Sequence, residues 1–333
     1  MSPREAILSL LNGHRQANVP AFSGLIHVTA EGLGRQGLSL REAHHDAHKM
    51  ASAAASTFRL TGMPSATLPL DLCAPAEALG AELFFYRDEE FQFPQVKKAL
   101  VESAKELTTD ALCTESTEIL GRGRLPNICE ALGILKKEIG KDAVISGMIP
   151  GPYTLLLYLC DPKNLFLEMK KEPQSVLDAL FLLSSCLSQI GNAYKNAGAD
   201  YITIHDMGGS PGFIGPAKYE QFVHPAEKHL IKRLAKPCVL SVCGNANKSL
   251  GLLAQTGADA ISIDQVTDLA AARAMLKETM LFGNLDPVRT LWQGDQAQVR
   301  ESATRAREAG VDAVWPGCDL VIQTPIGNVK AMI

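Results

Sequence analysis

The sequence predicts an α/β fold of the (β/α)8 type, a TIM barrel, with an N-terminal helical extension and a small insertion after strand 2. From residue 128 onward, short apolar runs alternate with helical patterns. Two earlier strand candidates bring the count to eight β units in 333 residues, whereas such a barrel needs about 250 residues plus insertions. Glycine-acid turns recur before predicted strands at 198–200, 257–259 and 310–312, as expected of similar βα units.

This pattern predicts a single domain over residues 1–333, because no linker-like stretch divides the chain. A doubly wound open sheet is the alternative fold, but no glycine-rich phosphate-binding motif follows an early strand. With 46% hydrophobic and 20% charged residues, the chain can bury a large core. Disordered and fibrous classes are therefore disfavoured.

Each element has a local justification. Residues 3–12 show helical periodicity and end at Gly13, which predicts an N-terminal helix. In the first strand candidate Pro20 lies near the beginning, where a missing amide is tolerated. Residues 81–127 form the insertion and are predicted to hold a small hairpin and a helix. The predicted strands are Val19–Val28, Ala66–Leu70, Ala143–Met148, Asp200–Ile204, Pro237–Val242, Ala260–Ile263, Thr279–Gly283 and Ala313–Pro316. Helices are predicted over 41–60, 153–169, 174–197, 216–235, 246–256, 267–277 and 295–309.

Charge and hydropathy narrow the classes of partner. A net charge of -4 provides no global basic field, which argues against nucleic acid as the main partner. The N-terminus lacks the charged-then-apolar pattern of a signal peptide. The longest apolar run, Val176 to Leu187, contains Asp178 and is too short to span a bilayer. We therefore expect a cytoplasmic protein that does not engage a membrane.

Most histidines and cysteines are predicted to be structural. His44, His45 and His48 lie among charged residues on the predicted helix 41–60, which indicates a solvated helix face. The cysteines are dispersed without framework spacing, so most should be reduced, buried, small apolar side chains. Their positions are 73, 113, 129, 160, 186, 238, 243 and 318.

The candidate chemistry lies at the predicted strand ends, because the C-terminal ends of barrel strands form the reactive face. The candidates are Asp71, Met148, His205, Asp206, Ser241, Cys243, Asp264, Asn284, Asp286 and Cys318. Catalytic zinc takes three Cys, His or acidic ligands and keeps one position open. Cys243, Cys318 and either Asp264 or His205 meet that description, although a strand-end cysteine can also be simple packing and Asp264 a helix cap. Zinc suits alkyl transfer to sulfur, because it holds an incoming thiol as thiolate.

Several motifs together resemble a known superfamily. They are Leu70-Asp71-Leu72 with Glu77-Ala78-Leu79-Gly80, Gly151-Pro152-Tyr153-Thr154-Leu155, Ala199 to Ile204, Cys243-Gly244, Gly283 to Pro287, and Pro316-Gly317-Cys318 through Met332. Across nearly its whole length the chain resembles the uroporphyrinogen decarboxylase superfamily, and more closely its methylcobamide:coenzyme M methyltransferase branch. Cys318 stands where the decarboxylases carry histidine, and Ala21 to Gly32 holds none of their early arginines. Asp71 and Tyr158 match residues of the decarboxylase site.

The resemblance implies a zinc site. The methyltransferases bind zinc through His-x-Cys at one strand end and Cys at the last strand, but Ser241 stands here in place of the histidine. In the more distantly similar zinc methionine synthases a carboxylate is also a ligand, and Asp264 matches it. The predicted ligands are therefore Cys243, Asp264 and Cys318, completed by His205.

The resemblance also implies the reaction. The expected function is zinc-dependent methyl transfer between a corrinoid, either methylcobalamin or a corrinoid protein, and a thiol such as coenzyme M. Asp71, His205 and Tyr158 are the expected catalytic residues, and Asn284, Asp286 and Met148 the expected cofactor-binding ones. Alternatives are demethylation of a methylated small molecule to load a corrinoid, decarboxylation, and a metal-free module that only binds a corrinoid protein. A homodimer is one expectation for the assembly.

Overall fold

Seven parallel strands form one curled sheet in the computed structural model, which describes residues 1–109 and 117–333. The strands are β1 Ser65–Leu68, β4 Val144–Pro150, β5 Tyr201–Asp206, β6 Cys238–Val242, β7 Ala260–Ile263, β8 Met280–Leu285 and β9 Ala313–Pro316. Neighbours in the sheet follow each other in the order β1-β4-β5-β6-β7-β8-β9, and each pairing is parallel. A separate antiparallel hairpin pairs β2 Leu83–Phe84 with β3 Gln95–Val96. The predicted barrel fold and the hairpin in the insertion are confirmed.

The first predicted strand closes the barrel without being a regular strand. Within segment 20–28, Ala21 makes one parallel bridge to Val314 of β9. On the other side, the Ser23 amide donates to the Ser65 hydroxyl of β1 at 3.0 Å. Because this contact ends on a side chain instead of a backbone carbonyl, no ladder forms with β1. The segment therefore occupies the eighth position between β9 and β1.

Helices surround the sheet and match most of the helical patterns. The α-helices are Pro3–Leu11, Ala30–Arg35, Leu40–Ala43, Ala47–Thr61, Ala74–Ala78, Leu125–Ile139, Pro152–Leu159, Pro162–Lys171, Pro173–Ala197, Pro211–Ile214, Pro216–Lys218, His224–Arg233, Leu250–Ala254, Leu269–Met275, Gln296–Glu308 and Ile326–Met332. Short 3-10 turns lie at Asp88–Glu90, Ala104–Glu106, Thr117–Gly121 and Asn247–Ser249, and π turns at Tyr219–Val223 and Pro287–Trp292. The sequence predicts a helix within the insertion 81–127 without bounds of its own, and residues 110–116 of that segment, Cys113 among them, lie outside the described residues.

The predicted helix over 41–60 is wrong at its start. The chain forms two helices, Leu40–Ala43 and Ala47–Thr61, because Asp46 caps the second by accepting from the Lys49 amide at 2.8 Å. The turn between them directs His44 inward, where it is buried, instead of onto a solvated face.

By length and composition, the helix Pro173–Ala197 is long and apolar enough to cross a membrane. However, 56% of its most apolar window is buried inside the protein. Leu180, Leu183 and Leu187 lie on that buried face, and Ser184 donates to the Ala226 carbonyl at 3.0 Å. A core helix of a barrel meets the same criterion of length and apolarity.

The N-terminal end of the barrel is filled by an aromatic cluster. Phe22 packs edge-on against Tyr201, Phe282 and Trp315, with ring centroids 6.4, 5.6 and 5.2 Å away. The apolar face of helix Pro3–Leu11 belongs to the same buried cluster, so this helix closes the bottom of the barrel. The C-terminal strand ends are left as the accessible end.

We predict that Phe22→Ala lowers the free energy of unfolding by about 3–5 kcal/mol, because it removes the ring that joins three others in a closed core. Chemical denaturation followed by circular dichroism measures this loss. Leu167→Ala, at a side chain 46% exposed, is the control and should change stability by less than about 0.5 kcal/mol. Equal effects of the two substitutions would contradict the assignment of Phe22 to the core.

Candidate metal centre

Three strand ends bring together one imidazole and two thiols. His205 lies in β5, while Cys243 follows β6 and Cys318 follows β9. The two Sγ atoms are 2.9 Å apart, and each is 3.8 Å from His205 Nε2. Among the described residues, these three form the group whose ligand atoms lie within 4.8 Å of one another. His205 is fully buried and both cysteines are half-buried.

Strand register explains how His205 reaches this position. In the parallel pairing of β5 with β6, His205 is the register partner of Ser241. The imidazole therefore lies level with the residue two before Cys243, but one strand away. Ser241 is fully buried, and its hydroxyl has no hydrogen-bond partner among the described residues. His205 thus offers the ligand type that the sequence lacks at position 241.

The three groups perturb one another's charge. Burial alone would lower the pKa of His205. The carboxylate of Asp319, whose Oδ2 lies 3.6 Å from Nε2, and the Cys318 thiol outweigh this effect and raise the pKa of His205 to about 9. The hydrogen bond from Cys243 and, to a smaller extent, the contact with His205 lower the pKa of the Cys318 thiol to about 6, although burial opposes this shift. The same hydrogen bond raises the pKa of Cys243 well above its usual value. Near neutral pH the pair thus holds one thiolate and one thiol.

This donor set fits a catalytic zinc ion. Two cysteines and one histidine form a known catalytic ligand set that leaves a fourth position for a substrate. Both cysteines are partly exposed, which is compatible with such an open position.

Asp264 lies near this group without joining it. One carboxylate oxygen accepts from the Gly244 amide at 2.8 Å, and the other accepts from the Val266 amide at 3.1 Å. The side chain therefore ties the loop after β6 to the end of β7. Its role as a metal ligand stays a prediction, and the geometry favours His205 as the third ligand.

The three residues expected to bind a cofactor also have structural contacts. Asn284 donates to the backbone carbonyls of Asp264 and Thr267 at 3.2 and 3.3 Å. Asp286 caps the turn Pro287–Trp292. Met148 is fully buried in the apolar core, which leaves no surface for a ligand. Cofactor binding by these residues stays a prediction, without support from their positions.

Asp71 lies in a buried ion-pair network that the sequence did not indicate. Its carboxylate accepts from Arg124 at 2.8 and 3.2 Å and lies 3.1 Å from His44 Nδ1. Arg124 also donates to Glu77 at 2.7 Å. Asp71, His44 and Arg124 are each less than 5% exposed. No local pattern in the sequence links Arg124 to Asp71, because Arg124 lies 53 positions later, in the insertion.

This network changes the expected role of Asp71. Burial alone would raise the pKa of Asp71, but the charge of Arg124 and the hydrogen bond from His44 hold it well below its usual range. Asp71 is therefore an anion at neutral pH and a poor proton donor. Its contacts favour fixing Arg124 and the loop after β1 over protonating a leaving group.

A cavity of about 340 Å³ opens beside the metal centre. Asp71, Tyr158 and Asp319 line it from three different parts of the chain. Asp319 links the cavity to the thiols, because one carboxylate oxygen accepts from the Ile26 amide at 2.8 Å while the other faces His205. The position of Asp319 directly after Cys318 was the one signal that could have identified it.

Fold and donor set together define a parallel barrel with a candidate soft-metal site at its mouth. The chain belongs to the uroporphyrinogen decarboxylase (URO-D) family, whose family model matches residues 2–333. Methylcobamide:CoM methyltransferase MtbA of Methanosarcina acetivorans is 31% identical, with 100% of this chain and 96% of that protein covered. A uroporphyrinogen decarboxylase of Citrifermentans bemidjiense is 29% identical, with 68% and 66% covered. A methyltransferase structure from Methanosarcina mazei superposes with a TM-score of 0.93 at 27% identity, with 100% and 97% covered. The predicted family and its methyltransferase branch are confirmed.

We predict that Arg124→Met destabilises the protein by about 3–5 kcal/mol at pH 7, because it removes the guanidinium that balances the charge of the buried Asp71 anion. The low folded pKa of Asp71 stabilises the wild type above the unfolded pKa of about 3.9, and this contribution is lost as pH falls. In the variant the carboxyl that has lost its guanidinium should have a raised pKa and regain stability on acidification. The difference between the two proteins should therefore narrow from pH 7 to pH 4.

Denaturant titrations at both pH values test this expectation. Arg122→Met is the matched control, because Arg122 is 40% exposed and its carboxylate partner Glu118 lies 4.0 Å away. It should cost less than about 0.5 kcal/mol at either pH. A pH-independent loss in Arg124→Met would argue against the ion pair as the cause.

Proposed function

We propose that the protein is a zinc-dependent methyltransferase that moves a methyl group between a corrinoid and a small thiol. The observation that carries this proposal is the group of His205, Cys243 and Cys318 at the barrel mouth. Similarity over the full chain to proteins named as methylcobamide:CoM methyltransferases and methylated-thiol–coenzyme M methyltransferase supports the reaction class.

The residues present suggest how the transfer would proceed. Cys243, Cys318 and His205 would hold the zinc ion, which when bound would keep an incoming thiol as a nucleophilic thiolate near neutral pH. We assign the released thiol proton to Asp319, whose carboxylate oxygen Oδ2 lies 3.6 Å from His205 Nε2. The sulfur–carbon bond then forms as the cobalt–carbon bond breaks, and the electron pair of that bond stays on cobalt. The barrel contributes the orientation of the two reactants.

A corrinoid protein is the proposed macromolecular partner, and it would dock on the strand-end face. Loops after β5, β7 and β8 carry exposed apolar side chains at Phe213, Val266 and Val288, which are 63%, 53% and 40% exposed. Such side chains around a reactive mouth are suited to transient protein contact.

We further propose that the chain forms one domain and acts in the cytoplasm, and a homodimer stays a prediction.

The alternative reactions have less support from the cavity. Decarboxylation of a polycarboxylate would need cations facing the substrate, and Arg124 is already bound to two carboxylates. Demethylation of a methylated small molecule would need a proton donor. Tyr158, whose pKa burial raises, remains protonated at neutral pH and lines the cavity, so it is a better candidate than Asp71. A metal-free binding module would not need these three ligand residues to converge.

We predict that wild-type protein binds one zinc ion per chain and that Cys318→Ala loses it, because only two ligands would remain. Inductively coupled plasma mass spectrometry measures the stoichiometry, and cobalt(II) substitution reports thiolate ligation by its absorbance. Cys238→Ala is the matched control, because Cys238 is a buried cysteine at the start of β6, away from the group. It should retain zinc.

Exchanging the side chains of the register partners His205 and Ser241 gives a second test of the metal site. His205→Ser should weaken zinc binding by at least tenfold, and the double substitution of His205→Ser with Ser241→His should restore it, because the imidazole returns at the same level of the sheet. Competition with a chromophoric chelator measures both affinities. Full zinc stoichiometry in Cys318→Ala would overturn the site, and zinc-free protein that gains nothing from added zinc would overturn the reaction.

We predict that Phe213→Ser reduces methyl transfer from a methylated corrinoid protein about tenfold or more, while transfer from free methylcobalamin is unchanged. The substitution removes exposed apolar contact area without touching the metal group. Met275→Ser is the control. Met275 is also apolar and 54% exposed, but it ends the helix before the N-terminal end of β8 and so lies away from the strand-end face. Equal losses with both methyl donors would argue against a docking role.

A further inference from the structure

Among the described residues, no cationic side chain lines the cavity beside the metal centre. Asp71 and Asp319 are its charged residues, and the remaining lining is apolar or neutral. That remainder comprises Ile26, Leu72, Cys73, Phe91, Gln92, Phe93, Pro94, Gln95, Tyr158 and Met207. Residues 110–116, which the structure does not describe, contain no lysine, arginine or histidine in the sequence.

The nearest buried cation cannot serve a ligand in this cavity. Arg124 directs its Nη1 and Nη2 groups at Asp71 and its Nε at Glu77, and it is 4% exposed. It therefore carries its charge in contact with two carboxylates. Freeing it for a third anion would leave the buried Asp71 without its guanidinium partner.

Two other arginines lie close by but outside the cavity. Arg41 and Arg87 line a smaller hollow that shares Gln92 and Pro94 with the cavity wall. The Arg87 side chain is 73% exposed, with its nearest carboxylate, that of Glu90, at 3.6 Å. Neither arginine is part of the wall of the larger cavity.

We propose that the acceptor thiol carries no negative charge on its tail, so that neutral or cationic thiols are preferred over a sulfonated thiol such as coenzyme M. This inference rests on the methyl transfer proposed above and names the substrate class of the same site. A sulfonate is ionised at every physiological pH and would lose hydration in the cavity without gaining a cation. It would also face Asp319, a carboxylate at the edge of the metal group.

The apolar and hydrogen-bonding parts of the wall fit such a thiol. Phe93 and Met207 offer apolar contact, while Tyr158 and Gln92 offer neutral hydrogen-bonding groups. The volume of about 340 Å³ accommodates a small thiol together with a methyl group. An ammonium group on the tail would be attracted to Asp319, so cationic thiols should rank first.

A panel with a common two-carbon linker tests the charge rule directly. The probes are cysteamine, 2-mercaptoethanol and 2-mercaptoethanesulfonate, with methylcobalamin as donor and rates corrected for the thiolate fraction. Wild-type kcat/KM should be at least tenfold higher for the first two thiols. Thiol titrations of the cobalt(II)-substituted protein, followed by absorbance, should give the same order in Kd.

A cation added to the wall should reverse the preference. Gln92 is exposed and lines the cavity, so Gln92→Lys should raise the ratio of 2-mercaptoethanesulfonate to 2-mercaptoethanol, in both kcat/KM and Kd, by about tenfold. Gln174→Lys adds the same charge at an exposed site outside the cavity and should leave the ratio unchanged.

The outcomes separate the two proposals. A wild-type preference for the sulfonated thiol in Kd and kcat/KM would overturn the charge rule while leaving methyl transfer to thiols intact. Failure to methylate any thiol would overturn the proposed reaction, and the cobalt(II) titrations would still decide the charge rule. An equal shift in Gln174→Lys would contradict the assignment of this cavity as the thiol site.

Discussion

The candidate site depends on the parallel register of β5 against β6. That register sets His205 level with Ser241, so an imidazole on one strand can occupy the place of an imidazole on the next. In a parallel sheet, register partners project toward the same face, which is why the ligand type can change strands without moving the metal position. Cys318 comes from β9, three pairings further around the sheet, and only the curling of the sheet brings its sulfur to Cys243.

The two ends of the barrel have different roles because they are built from different side chains. At the N-terminal end, four aromatic rings and helix Pro3–Leu11 leave no accessible space. Arg4 anchors that helix through two hydrogen bonds of 2.7 Å to Asp200. At the C-terminal end, loops surround a cavity and a pair of half-buried thiols. The aromatic core thus lies at the end of the barrel opposite the site, as is usual for barrels of this kind.

Electrostatics distinguishes this mouth from one that would hold an anion. Asp71, Glu77 and Arg124 satisfy one another in a buried network, which stabilises the loop after β1 and adds no free positive charge to the cavity. Asp319 is the carboxylate that remains beside the thiols. The relatives named as coenzyme M methyltransferases act on a sulfonated thiol according to their names. Similarity in fold and reaction class is therefore compatible with a different acceptor.

Much of this protein could be predicted from the order of its residues. Alternating apolar runs and helices predicted strands at all eight barrel positions, and seven of them form regular strands, because strand and helix periodicities are local properties of the chain. Cys243 and Cys318 could be found because each lies within two residues of the end of a buried strand. Tertiary structure decided which other groups join them. His205 lies 38 positions before Cys243 and Arg124 lies 53 positions after Asp71, and no local pattern links such pairs. The charged sequence neighbours of His44 predict a solvated side chain, but the Asp46 helix cap two residues later turns it inward toward Asp71. The sequence by itself determines the residue types and their periodicity, whereas strand register and side-chain burial depend on how distant segments pack.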